Sequence, residues 1–231
     1  MISTIKKIYP NAEKGDVMTS QCMEKLNNDH QFDSSKTILG TSVCSDEIVR
    51  SATNFRTHIG NQNPFTLGGL AGFPFTGLTG FKAFAGHIPD DGFAIIEYGP
   101  HIGISDTGQT GMVVRDGQAL ETTCCGALMA TLDAFKSEKK SELDQELDYQ
   151  QWKIAEELEE SRSAIVNEDE PLIVATDHMF SQIDNRVKTL LEQTSSHFKN
   201  KKVALIGGII INTDFGHSDW FDLREFEVQS F

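Results

Sequence analysis

The chain is short of positive charge, of cysteine and of long apolar runs, and each shortage removes a class of function. It carries 20 Lys and Arg against 34 Asp and Glu, a formal charge of −14. An acidic surface repels phosphate backbones and anionic headgroups, so neither nucleic acid nor an anionic membrane is an expected partner. Small neutral molecules, or small anions drawn to a local basic site, remain. No apolar run approaches the roughly 20 residues that a membrane helix needs, so no membrane insertion is expected. The opening MISTIKKIYPNAEKGD lacks the apolar stretch and small-residue cleavage site of a secretory signal. Four cysteines (Cys22, Cys44, Cys124 and Cys125) are too few for a disulfide scaffold among 231 residues. A reducing compartment, cytoplasm or chloroplast stroma, is the expectation, with thiols free for metal. The chain has no repeat and no low-complexity tract.

What is present alternates between strand and helix patterns, so the predicted class is α/β. Residues 1–35 are polar and weakly patterned, and read as an N-terminal arm or short helix on the core of a domain spanning 36–231. TILGTSV, from Thr37, is a β-branched run and a strand candidate. CSDEIVRSATNF follows it, with capping residue types Ser45 and Asp46 and the apolar pair Ile48 and Val49, and predicts a helix. Cys44 therefore falls at the carboxyl end of a strand, where open α/β sheets bind their ligands.

Residues 60–92 carry seven glycines between Gly68 and Gly92, interleaved with Phe73, Phe75, Phe81 and Phe84. Flexible linkers lack aromatics, so this predicts a packed, irregular segment whose backbone comes close to something. GFAIIEYGPHIGI predicts a strand from Phe93 to about Gly99 ending at His101, and GMVVRDGQ a hairpin arm. TTCCGALMATLDAFK predicts a helix that starts at Cys124 and Cys125. Long helices are predicted over 139–162 and from Pro171 onward, then a buried strand in KKVALIGGIIINTD and a last edge strand in WFDLREFEV. LIGGIII lacks the lysine and spacing of a phosphate loop and reads as close strand packing.

Three borderline or soft ligands fall at element ends: Cys44, His101 and Cys125. Two thiolates and an imidazole suit Zn²⁺ and leave a fourth tetrahedral position for water. Zinc lowers the pKa of such a water to about 7. Asp46 and Arg50 then acquire a role, the arginine holding the aspartate away from the metal so that it accepts a hydrogen bond from that water. Arg56 is a second candidate for the same carboxylate. His87, in AGHIPDDG, competes with His101 as the nitrogen ligand, and His101 is preferred because a strand feeds it. Cys124 competes with Cys125, which is preferred because Cys-Gly lets the backbone approach a metal.

CSD after a strand, a strand-end histidine and CG opening a helix resemble the β-class carbonic anhydrases. GGLAGFPFTGLTGFKAFAGHIPDDG, with YGPHIGI and CCGAL, resembles more specifically the limiting-CO2-inducible B/C family, strongly from about Ile38 to Phe135. The resemblance implies a β-carbonic-anhydrase-like fold, a central mostly parallel sheet flanked by helices. It implies a zinc site of Cys44, His101 and Cys125, with Asp46 and Arg50 as a catalytic dyad. It implies reversible hydration of CO2 to bicarbonate with zinc hydroxide as nucleophile, in a pocket for which Phe73, Phe75 and His87 are candidates. It also implies a homodimer, with room for a homologous hetero-partner. Arg50 lies four residues after Asp46 where ordinary β enzymes place the arginine two after, and 24 positions separate His101 from Cys125. A hairpin insertion over 102–120 fills that second gap. The rival readings are an inactive bicarbonate-binding or scaffold subunit with the same fold, and a hydrolase that turns zinc hydroxide on an ester.

Overall fold

A computed structural model describes residues 1–60, 63–137 and 143–231. In chain order its elements are α1 (Ile2–Ile8), β1 (Glu13–Lys14), α2 (Gly15–His30), β2 (Thr37–Ser42), α3 (Phe55–His58), β3 (Phe65–Thr66), α4 (Gly77–His87), β4 (Phe93–Tyr98), β5 (His101–Gly103), β6 (Met112–Val114), β7 (Glu121–Thr123), α5 (Gly126–Lys136), α6 (Tyr149–Glu159), α7 (Arg162–Val166), α8 (Pro171–Gln193), β8 (Lys202–Asn212) and β9 (Trp220–Ser230).

All six residues of β4 are buried, and so are ten of the eleven in β8. Strands apolar on both faces belong inside a sheet that helices cover on both sides. They lie there: the sheet runs β1-β9-β8-β4-β2-β3, with β5 added alongside β8. Pairing is parallel for β2–β3, β2–β4, β4–β8 and β5–β8. It is antiparallel only where β9 joins β8 and β1 joins β9. The sheet is therefore mostly parallel, as expected. β6 and β7 form a separate antiparallel pair, the hairpin between His101 and Cys125. α8 buries Leu172, Met179, Ile183, Val187 and Leu190 among others. At about 1.5–3 kcal/mol per side chain of this size, that apolar face holds the helix in place. Among the described residues no helix is long and apolar enough to cross a membrane.

The glycine-rich segment approaches the carboxyl ends of β2 and β4, which answers what its backbone comes close to. Gly72 has φ +84°, and a Cβ there would sit 2.2 Å from the carbonyl oxygen of Gly99. Gly99, at φ +149°, leaves 1.7 Å between its own would-be Cβ and the oxygen of Gly208. No side chain fits at either place, so the chain can turn from β4 into β5 directly against β8. In LIGGIII the register of β9 shifts between Gly207 and Gly208, the close strand packing anticipated for that run.

Three expected elements differ. Glu47–Ser51 forms a short 3-10 helix instead of an α-helix. Val49 is its only buried residue, so there is no i, i+3, i+4 stripe to reward a longer helix. The segment read as irregular contains the eleven-residue helix α4, whose Phe81, Phe84 and Ala85 are buried at helical spacing; its glycines masked that period. The helix expected over 139–162 is α6, eleven residues, followed by a break and α7. Part of the expected span, 139–142, lies outside the described residues, and Leu147, also within the expected span, is 89% exposed. Residues 1–35 pack on the core: Ile5, Met18, Cys22 and Leu26 are buried, and β1 adds a short edge to the sheet.

Candidate metal centre

Parallel pairing places the carboxyl ends of β2 and β4 side by side, with Ser42 opposite Tyr98. Cys44 follows two residues after β2. His101 follows the Gly99–Pro100 turn and opens β5, where it pairs with Ile210 of β8. Cys125 is the cap residue of α5, carried back by the β6–β7 hairpin. The backbone of Cys124 secures that return: its N–H donates to Gly111 O at 2.9 Å and its carbonyl accepts from Gly103 N at 2.8 Å.

The structure brings the expected triad together. The ligand atoms of Cys44, His101 and Cys125 lie within 4.8 Å of one another, and all three residues are buried. The sulfurs of Cys44 and Cys125 are 4.0 Å apart; tetrahedral bonding at about 2.3 Å per sulfur asks for roughly 3.8 Å. His101 Nδ1 is 2.9 Å from Asn212 Oδ1. Its Nε2 is buried and has no partner, and a buried polar atom left alone is costly unless something occupies it. The donor set, its spacing and the orphaned nitrogen all fit a zinc ion. His87 is exposed at the end of α4, 5.4 Å from the ring of Phe65, and does not join the triad.

Around the triad lies a second layer. Asn212 Nδ2 donates to Asp219 Oδ2 at 3.1 Å and to Ile48 O at 3.4 Å, which fixes its amide with Oδ1 toward His101. Cys124 is fully buried, and its sulfur sits 3.4 Å from His101 Nδ1, on the Asn212 side of the ring. Asp46, His101 and Cys124 also bring ligand atoms within 4.8 Å of one another. The Cys44 and Cys125 set is the better one, because Asn212 already engages Nδ1 and leaves Nε2. The hydrogen bond with Cys125, then burial, pushes the Cys44 thiol well up, against the pull of His101. Burial alone would lower His101, yet the sulfurs of Cys124 and Cys44 more than offset it and raise it well above the ordinary imidazole value. Protons are thus shared among groups that a cation would claim.

Asp46 is ion-paired, but not with Arg50. Arg115, directly after β6 in the inserted hairpin, donates from Nη2 to Asp46 Oδ2 at 2.7 Å, and its Nε lies 3.2 Å from Glu47 Oε1. Its Nη1 is buried without a partner. Among the described residues no ion pair joins Arg50 to Asp46. The 3-10 turn explains the correction: at about three residues per turn, position i+4 points roughly 120° away from i, whereas an α-helix would have nearly aligned them. Burial pushes the Asp46 carboxyl up, but hydrogen bonds with Glu47 and Arg115 and the charges of His101 and Arg115 outweigh it and hold it below the usual carboxylate range.

Arg50 and Arg56 instead line a cavity of about 360 Å³ that Cys44 and Ser45 also line. Phe73, Phe75 and His87, expected to wall the substrate pocket, do not line it. Phe73 packs on Phe75, which packs on Tyr149, at centroid distances of 5.2 and 6.2 Å. Aromatic residues in that segment find each other and the core before they find the site. A second cavity, about 380 Å³, is lined by Arg115, Glu47, Asp214 and His217 among others.

Residues 16–230 match the limiting CO2-inducible proteins B/C beta carbonic anhydrases. The chain belongs to this family. The crystal structure of PtLCIB4, a homolog of the limiting CO2-inducible protein LCIB, is similar at TM-score 0.90 and 32% identity, covering 100% of this chain and 96% of that one. A histidine-to-alanine point mutant of PtLCIB4 is similar at 0.90 and 31%, covering 99% and 94%. LCIB itself shares the fold, at TM-score 0.68 and 21% identity over 96% of this chain and 92% of that one. No curated protein matches the chain. Membership of the limiting CO2-inducible B/C family makes the chain carbonic-anhydrase-like, and its sheet is the fold that the resemblance implied. Arg115, Asn212 and Asp219 were not singled out from sequence. RDG in the hairpin and NTD at a strand end are common loop sequences; the hairpin's return to β5 gives Arg115 its role, and the pairing of β5 with β8 brings Asn212 to His101.

Proposed function

We propose that this protein hydrates CO2 reversibly to bicarbonate, with Zn²⁺ held by Cys44 Sγ, Cys125 Sγ and His101 Nε2. The observation that carries the reading is the orphaned Nε2 of His101 beside two sulfurs 4.0 Å apart, with Nδ1 already engaged by Asn212. Zinc in such a site supplies Lewis acidity that brings the pKa of a water down to about 7. Asn212 holds the imidazole in the tautomer that presents Nε2. Asp46, kept ionised and aimed by Arg115, accepts a hydrogen bond from the attacking water and so orients it. Its bond to Arg115 also keeps Asp46 Oδ2 from serving as a fourth ligand. Arg115 Nη1 is a donor with no partner of its own and fits an oxygen of bicarbonate. The wall formed by Leu39, Val43 and Val49 is apolar and suits CO2.

A second reading has one observation behind it. Arg115 is shared between Asp46 and Glu47, which weakens its hold on Asp46 and would suit a bicarbonate-binding or scaffold subunit without turnover. Metal analysis of the purified protein together with stopped-flow CO2 hydration decides. Zinc near one equivalent with turnover supports the enzyme, zinc without turnover supports the scaffold, and absence of bound zinc after growth in zinc-supplied medium overturns both. A homodimer is proposed for either case and is read by its mass in solution.

A further inference from the structure

Glu97 is a carboxylate that the reading above does not use. It lies in the middle of the sheet on β4, opposite Thr41 of β2, and is 5% exposed. The one described hydrogen bond of its side chain comes from Thr53 Oγ1, which donates to Oε1 at 2.7 Å. An acidic residue inside a parallel sheet, with no ion-pair partner among the described residues, is expensive, and a purely structural position would do better with an apolar residue. Glu97 does not face packed side chains alone. With Thr41 and Thr53 it lines the cavity that also touches Cys44 and Ser45. The cavity therefore reaches from a candidate metal ligand at the strand end down to a carboxyl group lower in the sheet.

We propose that Glu97 is the proton-relay residue of this cavity: it takes up the proton that CO2 hydration releases and hands it to a buffer base that enters past Arg50 and Arg56. The inference rests on the proposed function. The balance is simple: CO2 and water give bicarbonate and one proton, the proton resides on a Glu97 oxygen, and the buffer base removes it. No redox partner is needed.

The surroundings agree with the role. Burial pushes the Glu97 carboxyl up to about 7, against the Thr53 hydrogen bond that pulls it down. A relay works best when its own affinity for the proton matches the working pH. Among the described residues, Arg50 from the 3-10 turn, Arg56 from α3 and the Cys44 thiol after β2 line the same cavity, and Cys22 from α2 lies close enough to feel the Glu97 charge. The arginines line the same cavity and also favour entry of an anionic buffer such as phosphate or of bicarbonate itself.

Exchange of 18O between CO2 and water tests this, because it separates interconversion of CO2 and bicarbonate from the proton-dependent release of labelled water. In zinc-loaded Glu97→Gln at pH 7 and low buffer, water release should fall about tenfold or more, and added imidazole should restore it. Interconversion should change no more than about twofold. Thr53→Val should shift the acid limb of water release to higher pH, a displacement that a loosened fold would not produce. Independently of metal and turnover, infrared difference spectra should show a protonated-carboxyl band that titrates near neutral pH and vanishes in Glu97→Gln. Interconversion with water release unaltered in Glu97→Gln, or no such band in the wild type, overturns the relay and leaves the proposed function standing. A wild-type protein with zinc bound and no exchange at all overturns both.

Discussion

Replacing Asn212 by Ala isolates what lies behind the imidazole. The side chain is fully buried at the end of β8 and makes hydrogen bonds with His101 Nδ1 at 2.9 Å, Asp219 Oδ2 at 3.1 Å and Ile48 O at 3.4 Å, and its Oδ1 also accepts from Cys124 Sγ at 3.7 Å. The first fixes the tautomer and ring plane; the bonds to Asp219 and Ile48 fix the amide itself. Loss of such a supporting bond typically weakens metal binding 10–100-fold, about 1.4–2.7 kcal/mol. Asp219 keeps its bond from Thr213 N at 2.9 Å, so the loop survives and the loss is focused on His101. Competition with a chromophoric zinc chelator at fixed pH measures it. Asn212→Asp should retain more affinity than Asn212→Ala, since a carboxylate still accepts from Nδ1. If Asn212→Ala binds zinc as tightly as the wild type, the imidazole is not positioned this way and the ligand assignment of Nε2 fails.

Arg115→Ala should lower CO2 hydration by about 10²-fold or more with zinc still bound, whereas Arg50→Ala should leave Asp46 paired and cost far less; stopped-flow assays with metal analysis compare them. Zinc binding should release protons, because the Cys44 thiol is raised and must deprotonate to ligate; affinity measured by chelator competition should therefore fall as pH drops, and a pH-independent affinity would refute it. Glu97 binds its proton up to about pH 7 in the folded chain, against about 4.5 for the free group. Folding is therefore progressively disfavoured as pH rises through that window, by about 3 kcal/mol above it, and Glu97→Gln should raise Tm more at pH 8 than at pH 4.5. Gly72→Ala meets both φ +84° and the Gly99 oxygen at 2.2 Å, so it should cost about 1 kcal/mol or more and lower Tm by at least about 2–4 °C in thermal melts.

The sequence made the triad legible because each ligand sits beside a strong local signal. Cys44 follows a β-branched run, His101 follows a largely apolar strand, and Cys125 precedes a glycine and an apolar helical stripe. Arg50 misses Asp46 through a helix type: nothing in CSDEIVR distinguishes a 3-10 turn from an α-helix until the burial of Val49 alone is known. Arg115 could not have been found locally, since it lies 69 positions from Asp46 and reaches it through a hairpin whose placement depends on β5. The phenylalanines misled for a different reason. An aromatic next to glycines signals close packing, but which wall it packs on is decided by α4 and α6, whose own boundaries were blurred.

The β6–β7 hairpin has a further consequence. It leaves the sheet after Gly103 and comes back to the same residue, so its two stems are tied together irrespective of what lies at its tip. Loop length there can drift across relatives without disturbing the coordination geometry. Fixed-interval patterns written for the histidine-to-cysteine gap would therefore overlook genuine kin, while the spatial meeting point of the stems would still identify them.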